Sequence, residues 1–122
     1  MTLIGAKLSK VEKGFCEITL PYSLKLTQQD QFLHAGVVGT IADSACGYAA
    51  YTLMGKGEEV LSIEFKLNLL SPAKADLFIA QGRVIKPGKT ITVCEAKVIA
   101  KTGTKKKLCA TATVTLIAIK RE

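Results

Sequence analysis

A chain of 122 residues is long enough to bury one core and too short to fold a second unit beside it, so a single domain over residues 1–122 is expected. With 48% hydrophobic and 22% charged residues it does not have the composition of a disordered segment, and no apolar stretch approaches the roughly 20 residues that span a bilayer. The net charge of +7 admits an anionic partner, but the absence of Trp, with four Phe, three Tyr and no basic-aromatic motif, argues against nucleic acid.

In chain order, Ala6 to Leu20 alternates weakly and is split by Lys13 and Gly14, which predicts a strand, a turn and a second strand ended by Pro21. After the polar stretch Thr27 to Gln31, residues His34 to Met54 predict one long helix. Val37, Val38, Ile41, Ala42, Ala45, Cys46, Ala49, Ala50 and Leu53 recur at helical spacing, and Gly55 and Gly57 offer a stop. A helix so poor in charge is expected to be buried on most sides and wrapped by a sheet. Gly36, Gly39 and Gly47 each weaken its propensity by up to about 1 kcal/mol, which suggests close approach of another backbone. Four strands follow, Val60 to Leu70, Ala75 to Lys86, Lys89 to Lys101 and Lys105 to Ile119. With tight turns at Pro87–Gly88 and Thr102–Gly103, they read as an antiparallel meander.

The charged residues at the N-terminus, Lys7, Lys10, Glu12 and Lys13, leave no room for a signal peptide there, so a cytoplasmic protein is expected. Cys16, Cys46, Cys94 and Cys109 are widely spaced in apolar surroundings. With no CxxC pair and one histidine, they predict buried thiols and no metal site. Lys105, Lys106 and Lys107 are the densest positive cluster; the plain reading is a solvated hairpin, although a phosphorylated cofactor such as coenzyme A would use the same field.

Asp43 is the one formally charged side chain between Asp30 and Lys56, in the middle of the predicted helix. An ionised carboxylate there is costly unless paired, so Asp43 is either a hydrogen-bonded structural residue or one kept for chemistry. His34, the sole histidine, stands where the helix begins and reads as a cap or as a proton-transfer group. The first N–H groups of the helix are unpaired at its positive end and could polarise a carbonyl oxygen.

The run HAGVVGTIADSACGYAA resembles the His-Gly-Gly helix of hotdog thioesterases of the phenylacetic-acid-pathway type and the related 4-hydroxybenzoyl-CoA thioesterases. In that pattern a carboxylate lies nine positions after the His, as Asp43 does after His34, and an amide residue lies six before it, as Gln28 does. The following LSIEFKLNLLSPA resembles the family's next strand, with Ser62 where a residue often holds the carboxylate or its water. One departure is that Ala35 replaces the motif's first Gly. The contribution expected there is a backbone N–H, which Ala also supplies, while its methyl narrows the acyl pocket. The resemblance implies an α+β hotdog fold, a long central helix wrapped by an antiparallel β-sheet.

It also implies hydrolysis of an acyl- or aryl-acyl-CoA. The N–H of Ala35, aided by Gly36, would polarise the thioester carbonyl, Asp43 would act as general base or nucleophile, Gln28 would hold water or substrate, and Ser62 would orient Asp43. Lys66, Arg83, Lys86 and Lys89 are candidates for the phosphates of coenzyme A, which is part of the substrate, so no cofactor is expected. The alternatives are a hotdog dehydratase or hydratase, although those typically carry His-Phe-Pro where this chain has His-Ala-Gly, and a non-catalytic acyl-CoA-binding module. Ala35 and Asp43 are eight residues apart, about 12 Å along a helix axis, so a shared site in a homodimer, extended to a dimer of dimers, is expected, with no nucleic acid and no membrane partner.

Overall fold

A computed structural model describes residues 4–27 and 32–120. The elements are β1 (Lys7–Glu12), β2 (Phe15–Pro21), a short 3-10 turn (Leu24–Leu26), α1 (Ala35–Tyr51), β3 (Glu58–Leu69), β4 (Leu77–Lys86), β5 (Ile91–Thr102) and β6 (Lys105–Lys120). The strands form a six-stranded sheet in the order β1-β2-β4-β5-β6-β3, every pairing antiparallel. Gly14 and Gly103 adopt positive φ in the β1–β2 and β5–β6 turns, where a side chain would be strained.

The hairpins β4–β5–β6 follow the predicted turns, but the four strands after the helix are not a meander. β3 pairs with β6, not with β4, and the place beside β4 is taken by β2. The link between β3 and β4, residues 70–76, is too long to be a tight turn and carries Pro72, so it lets the chain leave one edge of the sheet and re-enter near its middle. β1 and β3 are the two edge strands, and most of β3 is exposed.

The helix packs against one side of the sheet. Its buried positions, Val38, Ile41, Ala42, Ala45, Cys46, Ala49 and Ala50, follow the 3.6-residue period and meet inward residues such as Ile18, Leu20, Phe78, Val98, Val114 and Leu116. Most helix residues at this contact are small, so the helix axis sits close to the sheet. Closest of all is Gly82 on β4, where an added Cβ would overlap the Ala45 carbonyl and come within 2.6 Å of the Cys46 nitrogen. The close backbone approach expected at the helix glycines is therefore found at a strand glycine. A Cβ at Gly39 would meet the side chains of Leu67 and Phe65 at 3.5 Å, an ordinary contact, and one at Gly47 would meet nothing within 4 Å.

The helix ends at Tyr51, before the glycines expected to stop it. The Thr52 hydroxyl accepts from the Gly14 N–H at 2.7 Å and donates to the Ala49 carbonyl at 2.6 Å, which closes the last turn and ties it to the β1–β2 hairpin. Nor is the helix closed on every side: Gly36, Thr40, Tyr48 and Tyr51 are exposed along one stripe, with Asp43 and Gly47 half-buried between them. Among the described residues no helix is long and apolar enough to cross a membrane.

Candidate active site

The segment leading into α1 is pinned from both sides. Leu33 N–H donates to the Ala73 carbonyl at 2.8 Å, and His34 N–H to the Leu26 carbonyl at 3.0 Å. His34 then caps the helix: its Nδ1 accepts the Gly36 N–H at 2.9 Å, and its carbonyl accepts the N–H groups of Val37 and Val38. An accepting Nδ1 puts the ring proton of the neutral imidazole on Nε2. Of the first four helical N–H groups, Ala35 alone has no acceptor among the described residues. Gly36, expected to assist it, already has a partner.

Two turns further on, Asp43 is held by β3. Ser62 Oγ donates to Asp43 Oδ1 at 2.7 Å, leaving the second carboxylate oxygen available. A β-bulge makes this contact possible. The β3–β6 register shifts between Ser62 and Glu64, so that Ser62 opposite Leu116 and Phe65 opposite Val114 both lie on the helix side of the sheet. In a regular strand residues three apart point to opposite faces, and one of the two would be lost to the site. Ala35, Gly39, Asp43, Ser62, Phe65 and Leu67 line one cavity of about 510 Å3, polar at Asp43 and apolar along Phe65 and Leu67. Phe65 and Leu67 were not legible as site residues, because their inward direction depends on the bulge and on β3's place beside β6. Thr40, three residues before Asp43 on the same helix face, is a site residue that sequence reasoning missed although its helical spacing signals it.

The other expected site residues are scattered within the chain. Lys66 pairs with Thr113 on the face of β3 turned away from the helix, and the Arg83 guanidinium stacks on Phe15, 4.8 Å from the ring centre, on the same outer face. Lys86 and Lys89 lie at the β4–β5 turn, near the C-terminal end of α1 and away from Ala35. One chain therefore brings Ala35, Asp43 and Ser62 to a common cavity, and none of these four basic residues lines it. Gln28 lies outside the described residues.

Cys46 sits one turn from Asp43 but faces the sheet. Hydrogen bonding with Cys94, and then burial, pushes its thiol well above the ordinary range, and burial also raises Cys16 and Cys109. No thiolate competes with Asp43 on the open side of the helix.

Residues 30–107 match the model of the thioesterase superfamily. Putative esterases of Saccharolobus solfataricus share 37% and 30% identity, each over 75% of this chain, which spans 61% and 65% of their lengths. The 1,4-dihydroxy-2-naphthoyl-CoA hydrolase of Listeria monocytogenes is 32% identical over 87% of this chain and 85% of its own. Among solved structures, a thioesterase family protein of Silicibacter pomeroyi superposes with a TM-score of 0.97 at 44% identity, covering 98% of this chain and 88% of that one. With one long helix against an antiparallel sheet, a capping histidine and a carboxylate on the open face, this hotdog chain belongs to the thioesterase superfamily.

Proposed function

We propose that the protein is an acyl-CoA thioesterase in which Asp43 and the Ala35 N–H act on one thioester across a two-fold dimer. One observation carries this reading: the unpaired Ala35 N–H and the Ser62-held carboxylate of Asp43 open into the same cavity. The N–H receives the carbonyl oxygen as it gains negative charge, a contribution worth about 2.7 to 4 kcal/mol for one such donor in other enzymes. Asp43 either takes the proton from a water that attacks the acyl carbon or attacks that carbon itself to give an anhydride that water opens. In both routes the carbon–sulfur bond breaks, the free acid keeps the new oxygen, and coenzyme A leaves as its thiolate. Single turnover in 18O-labelled water, with mass analysis of product and protein, separates the two. His34 serves this scheme as the cap that leaves Ala35 free. Its engaged Nδ1 weighs against the shuttling role that a hydratase would need.

The dimer follows from reach. Ala35 and Asp43 stand about 12 Å apart along one axis, further than an aspartate extends, so a second helix running the opposite way must bring the acid to the donor. The edge of β3 suits such a partner. Its outer backbone groups lack a neighbouring strand, and Leu61, Ile63 and Leu69 are more than half exposed. A dimer of dimers is the assembly we expect, and sedimentation measures it. Four free, buried cysteines suit a reducing cytoplasm. The Listeria relative's name places aryl-acyl-CoAs in the substrate panel beside short and long acyl chains.

Asp43→Asn, which keeps shape and removes charge, is expected to abolish thiol release while acyl-CoA binding persists. Mixing it with inactive Ala35→Pro tests sharing: random reassembly makes half the dimers mixed, each with one intact site of two, so recovery approaches about a quarter of wild-type activity. Near-normal turnover by Asp43→Asn would sink the catalytic assignment, and persistent inactivity after verified subunit exchange would sink the shared site.

A further inference from the structure

α1 packs against one side of the sheet, and among the described residues no α-helix covers the other. That outer face is not built for water alone. In an antiparallel sheet solvated on one side, outward positions are polar. Here the outward positions of β4 and β5 include Ile79, Ile85, Ile91, Val93 and Ile99, with Ile85 53% and Ile91 41% exposed. Six strands about 4.8 Å apart, each of about ten residues at 3.3 Å, make a face of roughly 900 Å2. Each partner in a stable complex buries about 800 Å2.

A single register row organises this face. Val11, Cys16, Gly82, Ala96, Ala112 and Leu67 stand side by side across all six strands. Outward residues at equal distances on either side of the row are opposite in charge or alike in apolar character. On β5, Lys97 and Glu95 flank Ala96, and among the described residues neither has an ion-pair partner. On β1, Lys10 and Glu12, 3.1 Å apart, flank Val11. Three residues out from the row, Ile99 answers Val93 on β5, and Ile79 answers Ile85, at the bulge of β4. A two-fold axis laid along the row, just outside the sheet, sets each strand antiparallel over its own copy. Lys97 then stands over the partner's Glu95 and Ile99 over the partner's Val93, across the roughly 10 Å that separates packed sheets. A foreign partner requires no such symmetry; a second copy does.

The same row reaches the edge contact inferred for the shared site. A dimer built on two β3 edges has its axis normal to the sheet, because it sets two α1 helices side by side in opposite directions. Midway between Ala35 and Asp43 is Gly39, where a Cβ would meet Leu67 at 3.5 Å, and Leu67 is the β3 member of the row. The two axes meet at right angles, which is the condition for a closed assembly of four chains. We propose that the outer face of the sheet is the second interface of a dimer of dimers, in which Lys97 and Glu95 of each chain pair with Glu95 and Lys97 of another copy. The number four rests on the shared-site dimer proposed above; the face and its axis follow from strand register.

A charge swap followed by sedimentation equilibrium of the full chain tests this. Wild type is expected as four chains. Glu95→Lys or Lys97→Glu alone sets like charges over one another, and is expected to raise the tetramer-to-dimer dissociation constant by about a hundredfold or more. The double variant restores opposite charges and, with them, the assembly of four. Both positions are exposed and lie on the face away from Asp43, so circular dichroism and thiol release per chain should stay at the wild-type level. Single variants that remain tetrameric, or a double variant that remains dimeric, overturn the proposal. So does a wild type of one chain, or of two chains that Glu95→Lys leaves together, which would give this face to a foreign partner or to solvent. The β3 dimer fails separately: a two-chain wild type that the single variants turn into monomers keeps the outer interface and removes the edge contact.

Discussion

The two long faces of α1 show two kinds of constraint on one helix. Toward the sheet, Val38, Ile41, Ala42, Ala45, Cys46 and Ala49 are fully buried, and each is fixed by what it touches. On the other face Gly36, Thr40, Asp43 and Gly47 border open space; Gly36 meets only the capping His34 ring, and among the described residues Asp43 is tied to Ser62 alone. A glycine marks the contrast on each side: a Cβ at Gly82 would strike the backbone of Ala45 and Cys46, whereas one at Gly47 would meet nothing. The closed face sets where the helix lies. The open face is left free to carry chemistry and a partner.

After the loss of the Asp43 carboxylate itself, the largest effect expected on the open face is that of Ala35→Pro, which removes one N–H and little else. His34 precedes it at φ −59 and ψ 135, the extended conformation that a following proline requires, and proline suits the first position of a helix. Activity is expected to fall by about a hundredfold or more, as for other single oxyanion donors, while circular dichroism stays that of wild type. Ala35→Ser, which keeps the N–H, should retain most of the rate. Equal losses in both would make the side chain, not the amide, the active feature.

On the closed face the largest effect is expected from Gly82→Ala. The methyl has no room unless α1 or β4 shifts, and overpacking of this kind costs about 3 kcal/mol when backbone must move. The urea midpoint measures it. A variant as stable as wild type would mean that the helix can lift from the sheet, and the division into a rigid and a free face would fail.

Ser62→Ala joins the two faces, because Ser62 belongs to the sheet and its hydroxyl to the open side. Losing a hydrogen bond to a half-exposed carboxylate costs at most about 1.5 kcal/mol of stability, so the urea midpoint is expected to move less than for Gly82→Ala, while kcat falls roughly tenfold because Asp43 is no longer held in place. Thr at this position restores a hydroxyl and should recover part of the rate. A variant that lost stability and kept its rate would make the Ser62–Asp43 bond a structural tie.

How much of this was legible in the sequence divides along the same line. The helix was readable because its closed face repeats apolar residues every three or four positions, and Asp43 stood out because it is the lone charge in that stretch. His34 as a cap could be stated from its place before Ala35, and its bond to Gly36 then decided which N–H stays free. What could not be read were the features set by pairing between distant strands. β3's place beside β6 and the bulge that turns both Ser62 and Phe65 inward depend on partners some fifty residues away, which alternation along β3 does not encode. Charge raised the same difficulty: composition supplies seventeen Lys and Arg, but only the topology tells which turns share an end with Ala35.

The smallest effect belongs to the closed face and concerns Cys16, on β2. Burial, with a smaller push from the Glu17 carboxylate, raises its thiol from 9.0 to about 11. Below pH 9 the thiol is protonated whether the chain is folded or not, and it contributes nothing to the pH dependence of stability. Between about 9 and 11 the unfolded chain releases this proton while the folded chain keeps it, so the unfolded state gains and stability falls as pH rises. Cys46 and Cys109, which are also raised, add slopes of their own. The difference between wild type and Cys16→Ala isolates one thiol, because every other group is common to both. Cys16→Ala is expected to be less stable at neutral pH, having lost a buried sulfur, but its melting temperature should fall less steeply between pH 9 and 11. Parallel slopes would mean that Cys16 ionises in the folded protein as readily as in the unfolded one. Water would then reach the inner side of β2, and the closed face would not be dry.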